Sequence, residues 1–465
     1  MTTRLDAIII GSGQAGPSLA VRLAGAGMQV ALIERRRLGG TCVNDGCMPT
    51  KTMVASARAA HVARHAADWG VRIGGNGCGG AVSVDMRGVK ERMDDVVTQS
   101  VANLTTWLEG TRGLRLIRGH ARFTGAHSVE VNGEALEAPK IFVNTGGRAT
   151  IPAWPGIEHV PVLTNSSMMQ IDTLPEHLVI AGASYIGLEF AQAYRRFGSR
   201  VTVIDVTDRP IAREDEDVSR AVQSILEGEG VRFVLGAKDV RVERLDTGRI
   251  RLRLESNGAA SAVEGGHLLA AVGRRPNTDD LGLDRAGIAT DARGFISVDE
   301  ELRTNVDGVW ALGDVNARGA FTHTSYNDYE IVAANLLDGD SRRAGDRIPV
   351  YALFTDPPLA RIGMNQVQAR ASGRPALIGT MPMTRVGRAR ERGETKGFMQ
   401  VIVDAQTERI LGATLLCIEG DEVIHTLLAV MAAGASYRVI QRGVPIHPTV
   451  SELLPTLLSD LRPLP

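Results

Sequence analysis

Asp6-Ala7-Ile8-Ile9-Ile10-Gly11-Ser12-Gly13-Gln14-Ala15-Gly16 opens the chain with an apolar run that breaks on three glycines. Asp6 to Ile10 reads as a short buried strand, and the Ala- and Leu-rich stretch to Ala26 as a helix. Gln29 to Ile33 reads as a second strand ending at Glu34, 23 residues after Gly11. Strand, glycine turn, helix, strand and acid, in that order, make a dinucleotide-binding unit. Gly11 permits the turn, Gly13 lets backbone approach a pyrophosphate, and Gly16 lets helix and strand pack closely. The helix N-terminus then faces the phosphates, and Glu34 accepts hydrogen bonds from a ribose diol.

The same unit recurs 171 residues later. Leu178 to Ile180 is a strand, Gly182-Ala183-Ser184-Tyr185-Ile186-Gly187 the turn, and a helix follows through Phe197. Val201 to Ile204 ends at Asp205, again 23 residues after the first glycine of its unit. Ser184 replaces the middle glycine, so pyrophosphate approach is less close there. Two dinucleotides are expected, one per unit. Asp205 bonds a 2′-hydroxyl and repels a 2′-phosphate, which favours NADH, although Arg209 and Arg213 lie downstream.

Between the glycine turn and the second unit lies Gly39-Gly40-Thr41-Cys42-Val43-Asn44-Asp45-Gly46-Cys47-Met48-Pro49-Thr50-Lys51. Two cysteines sit behind a glycine pair and ahead of a proline. Thr52 to Ala67 reads as a helix, so Cys42 to Lys51 reads as a loop turning into its first turn. The partial positive charge of a helix start favours a thiolate over a thiol. A structural disulfide or two buried thiols is the plain alternative. Only four cysteines occur in 465 residues, so a disulfide scaffold is not expected, and a close pair in a reducing compartment is a catalytic candidate.

The remaining chain is read more coarsely. A helix spans Arg87 to Gly110, strand-like pieces follow at Leu114 to Ile117 and Ser128 to Val131, and Ile141 to Gly147 is a strand running into a small-residue turn. Pro152, Pro155 and Gly156 mark the crossover into the second unit. Ala270 to Asn277 is a further strand-to-turn exit. Val309-Trp310-Ala311-Leu312-Gly313-Asp314 delivers a carboxylate beside a glycine, where it could bind a flavin ribityl hydroxyl; a solvated turn aspartate is the plain alternative. From Ile348 onward, apolar strands (Phe398 to Val403, Ile410 to Cys417) and a helix (Glu422 to Ala433) suggest an α+β domain. Cys78 falls in the glycine-rich stretch Gly74 to Gly80, read as a flexible loop with an incidental thiol, and Cys417 reads as core. The chain carries 52 basic and 53 acidic residues and only 4% aromatics, which offers no field or stacking platform for nucleic acid. No run approaches the ~20 apolar residues that span a bilayer. A soluble, cytoplasmic protein is expected.

These stretches together resemble the class I flavoprotein disulfide reductases, the pyridine nucleotide-disulfide oxidoreductases. The resemblance rests on both fingerprints, Cys42 to Lys51, Gly273-Arg274-Arg275-Pro276-Asn277, Gly313-Asp314, and His447-Pro448-Thr449-Val450-Ser451-Glu452. It implies an α/β fold of two Rossmann-like domains plus a C-terminal α+β dimerisation domain. The FAD domain would take residues 1–150 and 276–345, the NAD(P)H domain 151–275, and the dimerisation domain of a homodimer 346–465. It further implies FAD on Gly11, Gly13, Gly16, Glu34, Gly40, Thr41, Lys51, Thr145, Gly146, Gly313 and Asp314. NAD(P)H would lie on Gly182, Gly187, Glu189, Asp205 and Gly273. Cys47 matches the flavin-contacting thiolate and Cys42 the interchange thiol. Lys51 and Glu189 match a pair near the flavin N5. His447 and Glu452 match an acid–base dyad that reaches the partner subunit's cysteines.

Within the family, Phe354 to Met364, Arg385 to Arg390 and Leu411 to Asp421 resemble the reactive-chlorine-resistance, copper(II)-reducing branch related to mercuric reductase. That favours Cu(II), Hg(II) or a stress-related oxidant as acceptor. Cys42 and Cys47 would be a transient site for such a metal; no structural metal is expected. The absence of Cys-x-x-Cys ahead of the first unit and of cysteine in Leu454 to Pro465 argues against efficient mercuric reduction. The His447–Glu452 dyad, absent from mercuric reductase cores, points instead to a small disulfide such as lipoamide or glutathione disulfide. A third expectation is a flavoprotein subunit docked in a complex with little turnover. Asp45, between the cysteines, is expected to raise thiol pKa or help hold a cation.

Overall fold

The computed structural model describes residues 2–73 and 82–465, so Cys78 and the Gly74–Gly80 stretch lie outside the described residues. Two parallel five-stranded sheets carry the two fingerprints. In the first, strand Ala7–Ile10 lies centrally between Lys140–Val143 and Val30–Glu34, with Val309–Ala311 and Leu114–Arg118 outside them. Ile8, Ile9, Leu32 and Phe142 are fully buried, as expected of parallel strands covered on both faces. Each such side chain contributes about 1.5–3 kcal/mol from burial. The fifth strand comes from residues 309–311, after the second fingerprint, so the chain returns to complete the first sheet.

The second parallel sheet places His177–Ala181 between Arg200–Ile204 and His267–Ala270. A separate three-stranded antiparallel sheet, Lys238–Arg244, Ile250–Ser256 and Ala259–Gly265, packs on it through an apolar cluster that joins Val242, Leu252 and Val263 to Val179 and Leu268. The first two of these strands alternate charged and apolar residues, and the third is mostly small residues, so none shows the continuous apolar run that marks the parallel strands. The C-terminal region forms a six-stranded antiparallel sheet with helix Gly420–Ala432 against it. Cys417 is fully buried there, and burial pushes its thiol up to about 12. Among the described residues no helix is long and apolar enough to cross a membrane.

Candidate active site

Gly39 and Gly40 lie in the left-handed region, at φ 94° and 60°, and turn the chain into the helical segment Gly40–Asn44 that carries Cys42. A Cβ on Gly40 would stand 2.8 Å from Gly13 Cα, so this segment packs directly on the first fingerprint turn. After Asp45 and Gly46 the long helix Cys47–Arg64 begins. The expected loop over Cys42 to Lys51 is thus replaced by two helical pieces, and the helix starts at Cys47 rather than Thr52 and ends at Arg64. Pro49 falls in the first turn, where its missing N–H leaves no bond unmade, and Thr50 N already bonds Gly46 O at 3.0 Å.

Cys47 therefore meets two helix N-termini. It opens its own helix, and its Sγ lies 3.1 Å from Oγ1 of Thr322, the first residue of helix Thr322–Ala333. The Cys47 thiol is pulled down to about 6, first by a hydrogen bond from Cys42, then by the Thr322 hydroxyl and the Lys51 ammonium, against the effect of burial. Cys42 is pushed well above the ordinary thiol range, first by the hydrogen bond it gives Cys47 and then by burial. The opposed shifts favour a thiolate at Cys47 and a thiol at Cys42, and the two are not disulfide-bonded in this structure. Thr322 escaped sequence reading because a single Thr in Phe321-Thr322-His323-Thr324 signals only a helix start.

Lys51, one turn on from Cys47, reaches the second unit. Its Nζ donates to both oxygens of Glu189, at 3.0 and 2.8 Å. Glu189 is buried on helix Tyr185–Phe197 and also accepts from Phe354 N at 2.9 Å. The Phe354 ring lies 4.6 Å from Lys51 Nζ, so the ammonium sits between a carboxylate and an aromatic face. Asp45 is not among the causes of either thiol's shift. Its buried carboxylate faces Arg37 at 3.4 Å and Arg36 at 3.9 Å, and its carbonyl accepts from Asn165. It anchors the inter-cysteine turn to an arginine pair.

The two fingerprints are braced alike. Glu34 Oε2 accepts from Ser12 N at 2.9 Å, and Asp205 Oδ2 accepts from Ala183 N at 2.6 Å. Asp205 Oδ1 also takes Thr207 N and Oγ1, at 2.8 and 2.7 Å. Arg209 turns back to Ala212 O at 3.1 Å. A Cβ on Gly16 would lie 2.2 Å from Gly11 O, and one on Gly187 2.0 Å from Gly182 O, so helix and turn touch in both units. Neither helix, Ala15–Gly25 nor Tyr185–Phe197, has a side-chain N-cap; in the first, Gly16 N bonds Gly13 O at 3.0 Å and Pro17 has no N–H to satisfy. Gly146 and Gly273, both at positive φ, have no atom within 4 Å of where a Cβ would project, so both turns border open space. The residues present fit two dinucleotides.

Thr145 and Gly146 are clamped by Asn277, whose amide and backbone N–H donate to Thr145 O and Gly146 O at 2.8 and 2.9 Å. Asp314 follows Gly313 and lies 3.6 Å from Arg274 Nε, and Arg274 also reaches Thr41 Oγ1 at 3.5 Å. Burial raises the Asp314 pKa, with Asp328 adding to the rise and Arg274 opposing it. His447 Nδ1 lies 2.7 Å from Glu452 Oε2. The imidazole is 81% exposed while the carboxylate is 11% exposed, so the pair aims outward. Among the described residues, no hydrogen bond or ion pair joins His447 or Glu452 to Cys42, Cys47, Lys51 or Glu189.

Residues 5–329 match the pyridine nucleotide-disulphide oxidoreductase model, and residues 350–458 match the dimerisation domain of the same proteins. The chain belongs to the pyridine nucleotide-disulphide oxidoreductase family, whose members use FAD and NAD(P)H. It is 38% identical to the probable pyridine nucleotide-disulfide oxidoreductase RclA of Escherichia coli K12, over 98% of this chain and 99% of that one. It is 30% identical to mercuric reductase of Bacillus cereus, over 96% of this chain and 70% of that one. The structure titled Cu(II) complex of HOCl-induced flavoprotein disulfide reductase RclA, from Escherichia coli, superposes with a TM-score of 0.88. That match has 36% identity and covers 99% of each chain.

Proposed function

We propose that this chain is an NADH-preferring reductase whose Cys42–Cys47 pair passes electrons to a metal ion, Cu(II) or Hg(II), or to a stress-related oxidant. The carrying observation is the placement of Cys47 at two helix N-termini, on a segment packed against the first fingerprint turn and tied through Lys51 to the second. Gly11, Gly13, Gly16, Glu34, Gly40, Thr41, Thr145, Gly146, Gly313 and Asp314 would hold FAD. Gly182, Gly187, Glu189, Asp205 and Gly273 would hold NADH. Bound there, FAD supplies the two-electron relay between nicotinamide and sulfur. The chain's own residues do the rest. Cys47 stays ionised at neutral pH, Cys42 keeps its proton until an acceptor arrives, and Lys51 lends positive charge beside the thiolate. Oxidation of the dithiol to a disulfide releases two electrons, enough for two Cu(II) to become Cu(I) or one Hg(II) to become Hg(0). The metal ion in the solved RclA complex supports this acceptor class.

The domains of this reading are 1–150 with 276–345, 151–275 and 346–465, in a cytoplasmic homodimer formed through the C-terminal domain. The exposed His447 imidazole, oriented by Glu452, supports a second reading as a reductase of a small disulfide. In the dimer, that imidazole would serve the partner subunit's cysteine pair, taking and returning the proton of the exchanged thiol. The test is NADH oxidation by purified protein with Cu(II), Hg(II), lipoamide and glutathione disulfide side by side. Turnover fastest with a metal ion supports the first reading; turnover confined to a disulfide overturns it.

A further inference from the structure

Behind the Gly313-Asp314 turn sits a carboxylate that faces no cleft. Asp328, on helix Thr322–Ala333, is 2% exposed. Its Oδ2 accepts from Gly313 N at 2.7 Å and from Asn316 Nδ2 at 3.1 Å. Asn316 Nδ2 also donates to Ala311 O at 2.9 Å, so Asp328 and Asn316 close the turn from strand Val309–Ala311 to Gly313. Oδ1 takes the Arg347 guanidinium, whose Nε donates to Asn327 Oδ1 at 2.7 Å. Arg347 lies between the two family-matched regions, which end at 329 and resume at 350. Gly313 has no slack: at φ 71°, a Cβ there would stand 2.7 Å from Ser325 Oγ.

We propose that Asp328, charge-balanced by Arg347, is a positioning residue for FAD: through the Gly313 N–H it fixes the turn that presents Asp314. This inference rests on the reading of Asp314 as an FAD ligand. A buried N–H without an acceptor is costly, so loss of this one bond lets the turn relax, and Asp314 moves with it. The pairing with Arg347 keeps the buried carboxylate from being an isolated charge. Asp328 is buried behind the turn and acts through it.

The test compares two uncharged pairs of equal size. In an Arg347→Gln background, Asp328→Asn keeps an oxygen for the Gly313 N–H, and Asp328→Leu does not. FAD dissociation constants are measured on the purified proteins by recovery of free-flavin fluorescence, with the bound-flavin absorbance band shape and the melting temperature of the apoprotein alongside. The Leu protein should bind FAD on the order of tenfold more weakly than the Asn protein, with an altered band shape, a larger loss than any difference between the two apoprotein melting temperatures accounts for. Equal FAD affinity and band shape in both would overturn the proposal. So would a loss of affinity matched by an equal loss of apoprotein stability, because that is what a merely structural contact gives. Asp314→Ala, measured in parallel, separates the two claims. If it leaves FAD affinity intact, the Asp314 reading fails and the inference with it; if it weakens FAD while Leu and Asn agree, only the inference fails.

Discussion

Lys51 Nζ stands 2.8 Å from Glu189 Oε2, joining the helix that starts at Cys47 to the helix that starts at the second glycine turn. The carboxylate is 5% exposed and the ammonium 33%, so solvent screens the pair from one side only. Lys51→Met leaves Glu189 buried with Phe354 N as its remaining donor. The expected outcome is slower reduction by NADH, by one to two orders of magnitude, with acceptor turnover of chemically pre-reduced protein much less affected. Stopped-flow separation of the two half-reactions measures this. Equal slowing of both would show that the pair serves only to hold the domains together.

Cys47 should titrate near pH 6. Because its folded value lies below the ordinary 9.0, its thiolate contributes stability that is complete above that ordinary value and is lost as pH falls through about 6. Thiolate ultraviolet absorbance of the reduced protein should rise with a midpoint near 6. Cys42→Ala removes the largest cause of the depression and should move that midpoint toward 9.0, and Thr322→Val should move it less far. A midpoint unmoved in Cys42→Ala would refute the S–H donor.

The two fingerprint glycines make separable predictions. Gly16→Ala puts a Cβ 2.2 Å from Gly11 O and should yield protein that retains little FAD. Gly187→Ala puts one 2.0 Å from Gly182 O, in the other unit. That protein should keep its yellow colour and show a KM for NADH raised on the order of tenfold or more. Flavin content and NADH saturation curves decide it.

Asp205 is already spoken for by three donors, two from Thr207 and one from Ala183, so it is held in place rather than free to swing. A 2′-phosphate would meet that fixed charge. Steady-state kcat/KM should favour NADH over NADPH, and Asp205→Ala should narrow the ratio by about tenfold while lowering NADH use. A wild-type preference for NADPH would defeat the assignment.

Substitutions at the thiols and the dyad divide the acceptors. Cys42→Ser should abolish disulfide turnover and lower Cu(II) reduction at least tenfold. His447→Ala should cost disulfide turnover on the order of a hundredfold and leave Cu(II) reduction nearly unchanged. Full Cu(II) reduction by Cys42→Ser would mean that electrons leave without using the dithiol. Anaerobic NADH addition that leaves the flavin oxidised in wild-type protein would instead favour a docked, non-turning subunit.

Much of this was legible in the sequence, for a local reason. The glycine turns, the acids 23 residues on, and the strands around them are short-range patterns whose spacing alone carries the geometry. The helix over Cys47–Arg64 begins earlier than the apolar run from Thr52, because its first turn, Cys47 to Thr50, carries no periodic apolar signal even though Pro49 is tolerated there. The partners of Asp45 are not legible, because position in sequence says nothing of side-chain direction; Arg36 and Arg37 meet it only in three dimensions. Thr322, Phe354 and Asp328 were invisible for the same reason, each reaching its partner across a gap that no local pattern spans or through an element junction.

The outward-facing imidazole at His447 means that, on the second reading, a lone subunit is chemically incomplete. A protein lacking Cys42 would be inert toward a disulfide, and one lacking His447 nearly so. Co-assembled, they would form hybrids in which one of the two centres has every part it needs. Activity recovered on mixing and re-associating these two proteins would be the signature of a reaction shared between chains.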